Sequence, residues 1–165
     1  MARIWKFSSD VDTDQIVPGR YSPLMRPGED VGKAAFIEAH PEFNRDAQPG
    51  DIIVAGENFG CGSSREYAPL ALKNRQVGAI IACSFARIFY RNAVNLGVPV
   101  YIAPELVDRL QDGDEVTIHL TQDLLLHEQD TIKLPPMSEF TRKVIGLGGI
   151  IPYFRKMGHF PGEDL

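Results

Sequence analysis

Asp51-Ile52-Ile53-Val54-Ala55-Gly56-Glu57-Asn58-Phe59-Gly60-Cys61-Gly62-Ser63-Ser64-Arg65-Glu66 is the stretch from which the architecture can be read. Residues 51–55 are a short β-branched apolar run without polar alternation, the pattern of a strand buried on both faces. Glycines at 56, 60 and 62 make the next segment a turn, and Ser64 to Asn74 reads as a helical run. The unit then recurs. Ala79 to Ala82 is a second buried strand, Ser84 to Asn95 a second helix closed by Gly97, and Pro99 to Ile102 a third strand. Strand–helix–strand–helix–strand implies parallel pairing through right-handed crossovers.

Working outward to the N-terminus, Arg3 to Phe7 alternates and predicts a strand, and Ser8 to Pro18 reads as a polar, Asp-rich loop. Arg20 to Asp30, with Pro23, Pro27 and Gly28, reads as a long irregular loop. Lys33 to Ala39 predicts a short helix ending near His40, because the residue ahead of Pro41 disfavours helix. A turn at Gln48-Pro49-Gly50 leads into the central unit. On the other side, Glu115 to Leu120, Leu124 to His127 and Thr131 to Leu134 read as short antiparallel strands joined by Asp-rich turns. Ser138 to Met157 is helical and broken by Gly146, Gly148 and Gly149, and Pro135-Pro136 is the one linker-like pair. No internal repeat or low-complexity tract appears. The expected fold is α/β in three layers, with a mainly parallel central sheet plus a short antiparallel region. It forms one domain over residues 1–165, ending in a helical tail from residue 138 onward.

The 165 residues are 44% hydrophobic, enough to fill a core, and carry a formal net charge of −5. That balance, without a basic stripe, argues against nucleic acid or an anionic membrane as partner. There is no apolar run of about 18 residues to span a membrane. Met1-Ala2-Arg3-Ile4-Trp5-Lys6 lacks the apolar core of a signal peptide, so a cytoplasmic location is expected.

Residues 56–66 follow a buried strand and open a helix, which is where chemistry concentrates. The glycines let a ligand approach the backbone closely. Ser63 and Glu66 have the S-x-x-E spacing of a capping box. A helix N-terminus with free N–H groups suits an anion, and Arg65 adds a cation able to hold a carboxylate in bidentate fashion. Two readings stand side by side: a plain capped turn, or an anion site. Three familiar motifs are absent. Arg65 stands where a dinucleotide fingerprint needs glycine, no Gly-Lys-Ser/Thr follows Gly56, and Gly62-Ser63-Ser64-Arg65-Glu66 is not G-x-S-x-G.

Gly60-Cys61-Gly62-Ser63-Ser64-Arg65-Glu66, followed by Ala68-Pro69, resembles the G-x-G-S-S-R-E signature of the swivelling domain of the aconitase superfamily. Asp12-Thr13-Asp14-Gln15-Ile16 resembles that family's D-T-D-x-I element. Ser84-Phe85-Ala86-Arg87-Ile88-Phe89-Tyr90-Arg91-Asn92 resembles its S-F-A-R-I-F-x-R-N helix, and Asn95-Leu96-Gly97-Val98-Pro99-Val100 follows as in the separate small subunits. The resemblance covers most of residues 2–105; the last third agrees in layout more than in motif. Length and layout are similar to the small subunits of isopropylmalate isomerase and homoaconitase rather than to one-chain aconitases.

The resemblance implies a hydro-lyase that dehydrates a 2-hydroxy di- or tricarboxylate and rehydrates the alkene with the hydroxyl moved. It makes Ser63 the catalytic base and places Ser64 and Arg65 on substrate carboxylate. Gly60, Cys61 and Gly62, with Asp12 and Asp14, then shape the site. The loop Tyr21-Ser22-Pro23-Leu24-Met25-Arg26 corresponds to the one that sets substrate choice. Leu24 and Met25 suit an alkyl group, and Arg26 a second carboxylate. Isopropylmalate, in leucine synthesis, is the first substrate; homoaconitate, dimethylmalate and citramalate are rivals. A non-catalytic carboxylate-binding module on the same scaffold is the alternative of another class. A [4Fe–4S] cluster is implied, and it normally takes three or four thiolates. With only Cys61 and Cys83 present, it is expected in a partner large subunit, with no cofactor in this chain. The reading leaves room for a homo-oligomer of the isolated chain.

Other features read more plainly. Asp10, Asp12 and Asp14 start like a calcium loop, but Gln15 and Tyr21 stand where glycine and a bidentate glutamate belong. Cys61 reads as a small filler and Cys83 as core. Arg87 and Arg91 share a helix face and read as exposed salt-bridging residues, with site or interface support as the alternative. His40, His119, His127 and His159 show no metal spacing, and no residue is assigned to metal.

Overall fold

Four apolar segments form the parallel half of the sheet: β1 (Ala2–Lys6), β2 (Ile52–Ala55), β3 (Ala79–Ala82) and β4 (Val100–Ile102). The computed structural model describes residues 1–160. Three more strands, β5 (Glu115–His119), β6 (Leu124–His127) and β7 (Asp130–Lys133), run antiparallel. All seven belong to one sheet in the order β4-β3-β2-β1-β5-β6-β7. Ile4 pairs with Ile52, Ile53 with Ile80, and Ile81 with Tyr101. Because side chains alternate along a strand, this register sorts them onto two faces.

One face carries Trp5, Ile53, Ala55, Ile80, Ala82 and Val100, which pack with Ala68 and Leu72 of α3 (Tyr67–Asn74) and Phe89 and Ala93 of α4 (Arg87–Leu96). The other carries Ile4, Ile52, Val54, Ala79, Ile81 and Tyr101. These meet Leu106 of α5 (Pro104–Arg109) together with Val116, Leu125 and Ile132 from β5, β6 and β7. β7 and β4 lie at opposite ends of the strand order yet share one core, so the sheet curls over itself. The result is three layers: helices, parallel strands, and an antiparallel layer with α5. Each fully buried isoleucine contributes about 1.5–3 kcal/mol of apolar burial. The expected three-layer α/β fold is what forms. Three strand pairings are parallel and three antiparallel, so the parallel character belongs to the central four strands.

Several elements depart from expectation. The helix expected over Lys33 to Ala39 is a 3-10 turn, Val31–Ala34, followed by further turn. Helix begins at α2 (Pro41–Asp46), with Pro41 in its first turn, where the missing N–H costs nothing. α5 begins at Pro104 in the same way. The loop read over Ser8 to Pro18 contains a one-turn helix, α1 (Thr13–Ile16), closed by a capping box: Gln15 N donates to Asp12 Oδ1 at 2.8 Å and Asp12 N to Gln15 Oε1 at 3.0 Å. The loop read over Arg20 to Asp30 holds a 3-10 stretch, Gly19–Met25. The C-terminal helical run divides into α6 (Glu139–Gly146) and α7 (Ile150–Met157), broken at the glycines as expected. Residues 161–165 of the expected helical tail lie outside the described residues. α6 and α7 pack on α4, and the Gly97 backbone, at φ +81°, sits so close to Gly148 that a Cβ there would lie 2.5 Å from the Gly148 carbonyl carbon.

The N-terminal edge of β2 is fixed by a buried carboxylate. Asp51 accepts hydrogen bonds from Arg3 N (3.0 Å), Trp5 Nε1 (2.9 Å) and Gln48 N (2.9 Å). Asp51→Ala leaves these donors unpaired and should destabilise the fold by about 3 kcal/mol. Trp5 is the sole tryptophan, so its fluorescence reads the urea midpoint directly; a loss under about 1 kcal/mol would contradict the count of bonds. A second substitution tests the turn after β2. Gly60 has φ +80°, and a Cβ there would fall 2.2 Å from Phe89 Cγ. Gly60→Ala should cost about 3 kcal/mol or more, since overpacking adds to backbone strain, and a thermal midpoint equal to wild type would show that the ring yields freely.

Candidate active site

Beyond β1, β2 and β3 the chain continues to pair where the strands have ended. Gly60 N donates to Val11 O (2.7 Å) and Thr13 N to Cys61 O (2.9 Å), so Asp12 and Cys61 form a parallel bridge. Phe59 N donates to Ser84 O (3.0 Å) and Ala86 N to Phe59 O (2.9 Å), which bridges Phe59 to Phe85. Three loops are thereby zipped side by side at the carboxyl ends of parallel strands, the place where open α/β sheets bind ligands. Phe59 and Phe89 meet edge to face, with centroids 5.2 Å apart, directly beneath. The candidate residues ride on this zipped layer.

Ser63 does not cap a helix. α3 begins only at Tyr67, with Glu66 as its cap residue and no side-chain capping bond, so the expected Ser63–Glu66 box does not form. The Ser63 side chain is captured instead. Arg65 Nε donates to Ser63 Oγ at 2.6 Å, and Thr13 Oγ1 donates to the Ser63 carbonyl at 2.9 Å while lying 3.5 Å from Ser63 Oγ. The Arg65 guanidinium is itself pinned: Nη1 donates to the Tyr67 hydroxyl and Nη2 lies 3.3 Å from Asp14 Oδ1. The Tyr67 bond, and then the Asp14 carboxylate, raise Arg65 above the usual arginine range. Gly19 lies against the same group, since a Cβ there would fall 2.6 Å from Arg65 Nη1. Ser63 and Ser64 are exposed, so the serine oxygen is open to solvent rather than sealed in the interior.

Ser63, Ser64 and Arg65 line a recess of about 220 Å³ with Thr13, Gly60, Gly62, Arg87, Ile88 and Asn92. Arg87, expected as a salt-bridging surface residue, has no ion pair among the described residues and lines this recess, whereas Arg91 does not line it. Thr13, Ile88 and Asn92 were not singled out; only the folded arrangement brings them beside Ser63. Asp14 touches Arg65, while Asp12 caps α1 and bridges Cys61. Burial pushes the Cys61 thiol up, with Asp12 and Asp10 adding to it, and Cys83 is likewise raised by burial, so neither has the features of an activated nucleophile. The loop residues Tyr21, Leu24, Met25 and Arg26 do not line this recess. Tyr21 and Leu24 pack on the core, and Met25 and Arg26 are exposed. Among the described residues, no group of three or more His, Cys, Asp or Glu could hold a metal ion, and no helix is long and apolar enough to cross a membrane.

Comparison with known proteins places this geometry. The model of the aconitase C-terminal domain matches residues 7–105. The chain is 50% identical to the 3-isopropylmalate dehydratase small subunit 1 of Deinococcus radiodurans, over 99% of this chain and 92% of that one. It is 46% identical to the homoaconitase small subunit of Thermus thermophilus, over 99% and 100%. The crystal structure of a 3-isopropylmalate dehydratase from Methanocaldococcus jannaschii superposes with a TM-score of 0.83, at 40% identity, over 95% of this chain and 93% of that one. The zipped loops with Ser63 and Arg65 at their tip therefore sit in a chain that belongs to the aconitase C-terminal domain family, alongside the small subunits of 3-isopropylmalate dehydratase and homoaconitase.

Proposed function

We propose that this chain is the small subunit of a hydro-lyase that moves the hydroxyl of a 2-hydroxy dicarboxylate by dehydration and rehydration, with 3-isopropylmalate as substrate. Names of relatives at 46–50% identity support that substrate. The observation that carries the chemistry is the 2.6 Å bond from Arg65 Nε to Ser63 Oγ at the mouth of an open recess. Ser63 Oγ takes the proton from the carbon beside a substrate carboxylate and returns a proton to the double bond on rehydration. A guanidinium held on that oxygen favours its deprotonated form, and Thr13 offers a second hydroxyl 3.5 Å away. Ser64 and the remaining N–H groups of Arg65 meet the adjacent carboxylate.

The two thiols of this chain do not fit an iron–sulfur cubane, which takes three or four. An iron–sulfur cluster on a separate large subunit would supply the Lewis-acid chemistry that the substrate hydroxyl needs. This makes the chain catalytically incomplete alone and gives its open recess a face to close against. The assembled enzyme works in the cytoplasm. Homoaconitase activity is the second reading, supported by the Thermus relative and by Arg26 as an exposed cation on the loop at residues 20–30.

Co-expression with a large subunit, followed by turnover measured on isopropylmalate, homoaconitate and citramalate, tests the reading. Ser63→Ala should lower kcat by about 10²- to 10⁴-fold while leaving complex assembly by size exclusion unchanged. Turnover within about threefold of wild type would remove Ser63 from the base role.

A further inference from the structure

Thr13 has one hydroxyl proton and two acceptors within reach of it. It is the first residue of α1, it is 2% exposed, and its backbone is tied on both sides: Thr13 N donates to Cys61 O (2.9 Å) and Val17 N to Thr13 O (2.9 Å). A β-branched side chain is stiff at χ1, so what stays free to turn is the O–H bond. Its proton goes to the Ser63 carbonyl at 2.9 Å, because a carbonyl oxygen only accepts. The 3.5 Å approach between Thr13 Oγ1 and Ser63 Oγ must then use the Ser63 proton, while Ser63 Oγ accepts from Arg65 Nε at 2.6 Å. One hydrogen per hydroxyl fixes the order of donation: Arg65 to Ser63, Ser63 to Thr13, Thr13 to the Ser63 carbonyl. That order holds only while Ser63 carries its proton. A deprotonated Oγ has nothing to donate and becomes the strongest acceptor near Thr13, since hydrogen bonds to an ionised oxygen are shorter and about twice as strong as neutral ones. An approach closer by about 0.7 Å brings the two oxygens to an ordinary O–H···O distance.

We propose that Thr13 is a positioning residue whose hydrogen bond reverses with the charge on Ser63. It accepts from the Ser63 hydroxyl in the resting enzyme and donates to the Ser63 alkoxide in the working one, letting go of the carbonyl. The Ser63 proton passes to water in the open recess as its O–H bond breaks. When Ser63 Oγ then takes the proton from the substrate carbon, a new O–H bond forms, the C–H electron pair moves into the double bond as the hydroxyl leaves, and the Thr13 hydroxyl turns back to the carbonyl. The proposal rests on the hydro-lyase reading above and adds to Arg65 a second donor on the reacting oxygen. Burial suits this role, because Thr13 is shielded from water that would compete for its proton.

The test uses the complex with its large subunit and reads kcat and KM against pH for Thr13→Val, which keeps the shape and removes the proton, and for Thr13→Ser, which keeps the proton. Thr13→Val should lower kcat about 10- to 100-fold at neutral pH with KM within about threefold of wild type, because Thr13 acts on the base and not on the substrate. The limb on which kcat rises with pH should move up by about one to two pH units. The isotope effect for substrate deuterated at the abstracted position should grow. Thr13→Ser should restore kcat to within about threefold of wild type and return the limb to its place. A Thr13 that only braces the turn lowers kcat alike at every pH, so an unmoved limb overturns the assignment whatever the loss of activity. So does a Thr13→Ser enzyme as slow as Thr13→Val. Should the Thr13→Val complex fail to fold or assemble, Thr13→Cys, whose S–H is a weak donor, carries the same expected upward shift, and a limb at the wild-type position again overturns it. A wild-type complex without turnover, or an active Ser63→Ala complex, defeats the hydro-lyase reading and this one with it. A working wild type, an inactive Ser63→Ala and an unmoved limb defeat this one alone.

Discussion

A phenyl ring pressed against bare backbone holds the site together. Phe89 of α4 occupies the space where any side chain at residue 60 would begin, so the turn after β2 and the first turn of α4 are locked in register. Phe59 completes the contact from inside the same turn. Everything above this layer inherits its position. Ser63 and Arg65 ride on one side of the contact, and Arg87 and Ile88 on the other. The constraint is steric, so it does not depend on pH or salt, and it positions polar groups without using any of them.

The electrostatics of the turn follow from a competition that Arg65 wins. A serine near a helix start ordinarily gives its oxygen to the backbone N–H groups of that helix. Here the guanidinium reaches Ser63 Oγ first, and the helix begins further along, at Tyr67. Asp14 and Tyr67 hold the guanidinium from behind, so it does not need to reorganise in order to serve the oxygen. Asp14 in turn is placed by α1, whose capping box fixes the turn that also brings Thr13 to the Ser63 carbonyl.

Much of this was legible in the chain, and the limits are physical. Ile52-Ile53-Val54-Ala55 and Ala79-Ile80-Ile81-Ala82 read as buried strands because nothing in them could face water. The curl of the sheet was not legible, since it depends on Ile132 and Tyr101 joining one core from opposite ends of the strand order. Two segments, Asp12-x-x-Gln15 and Ser63-x-x-Glu66, carry the same capping spacing, and only the first forms the box. Spacing names the possible donors; it does not say that Arg65, two residues from Ser63, is nearer than the backbone. Pro41 was legible as a helix boundary of the wrong kind: a proline that ends one helix is equally suited to start the next. The recess partners of Ser63 on α4 come from a crossover packing that no local pattern encodes, and Arg87 therefore read as an ordinary surface charge.

The openness of the recess has a consequence for how strongly these groups act. While water fills it, attraction between Arg65 and a charged oxygen is screened nearly as in bulk solvent. A surface that covers the mouth and expels the water lowers the effective dielectric constant from about 80 toward about 20, which multiplies the same attraction about fourfold. No atom of this chain has to move for that to happen. How strongly the Ser63 oxygen feels Arg65 is thus a property of what lies over it, and the exposed chain carries the charges in place but insulated from one another by solvent.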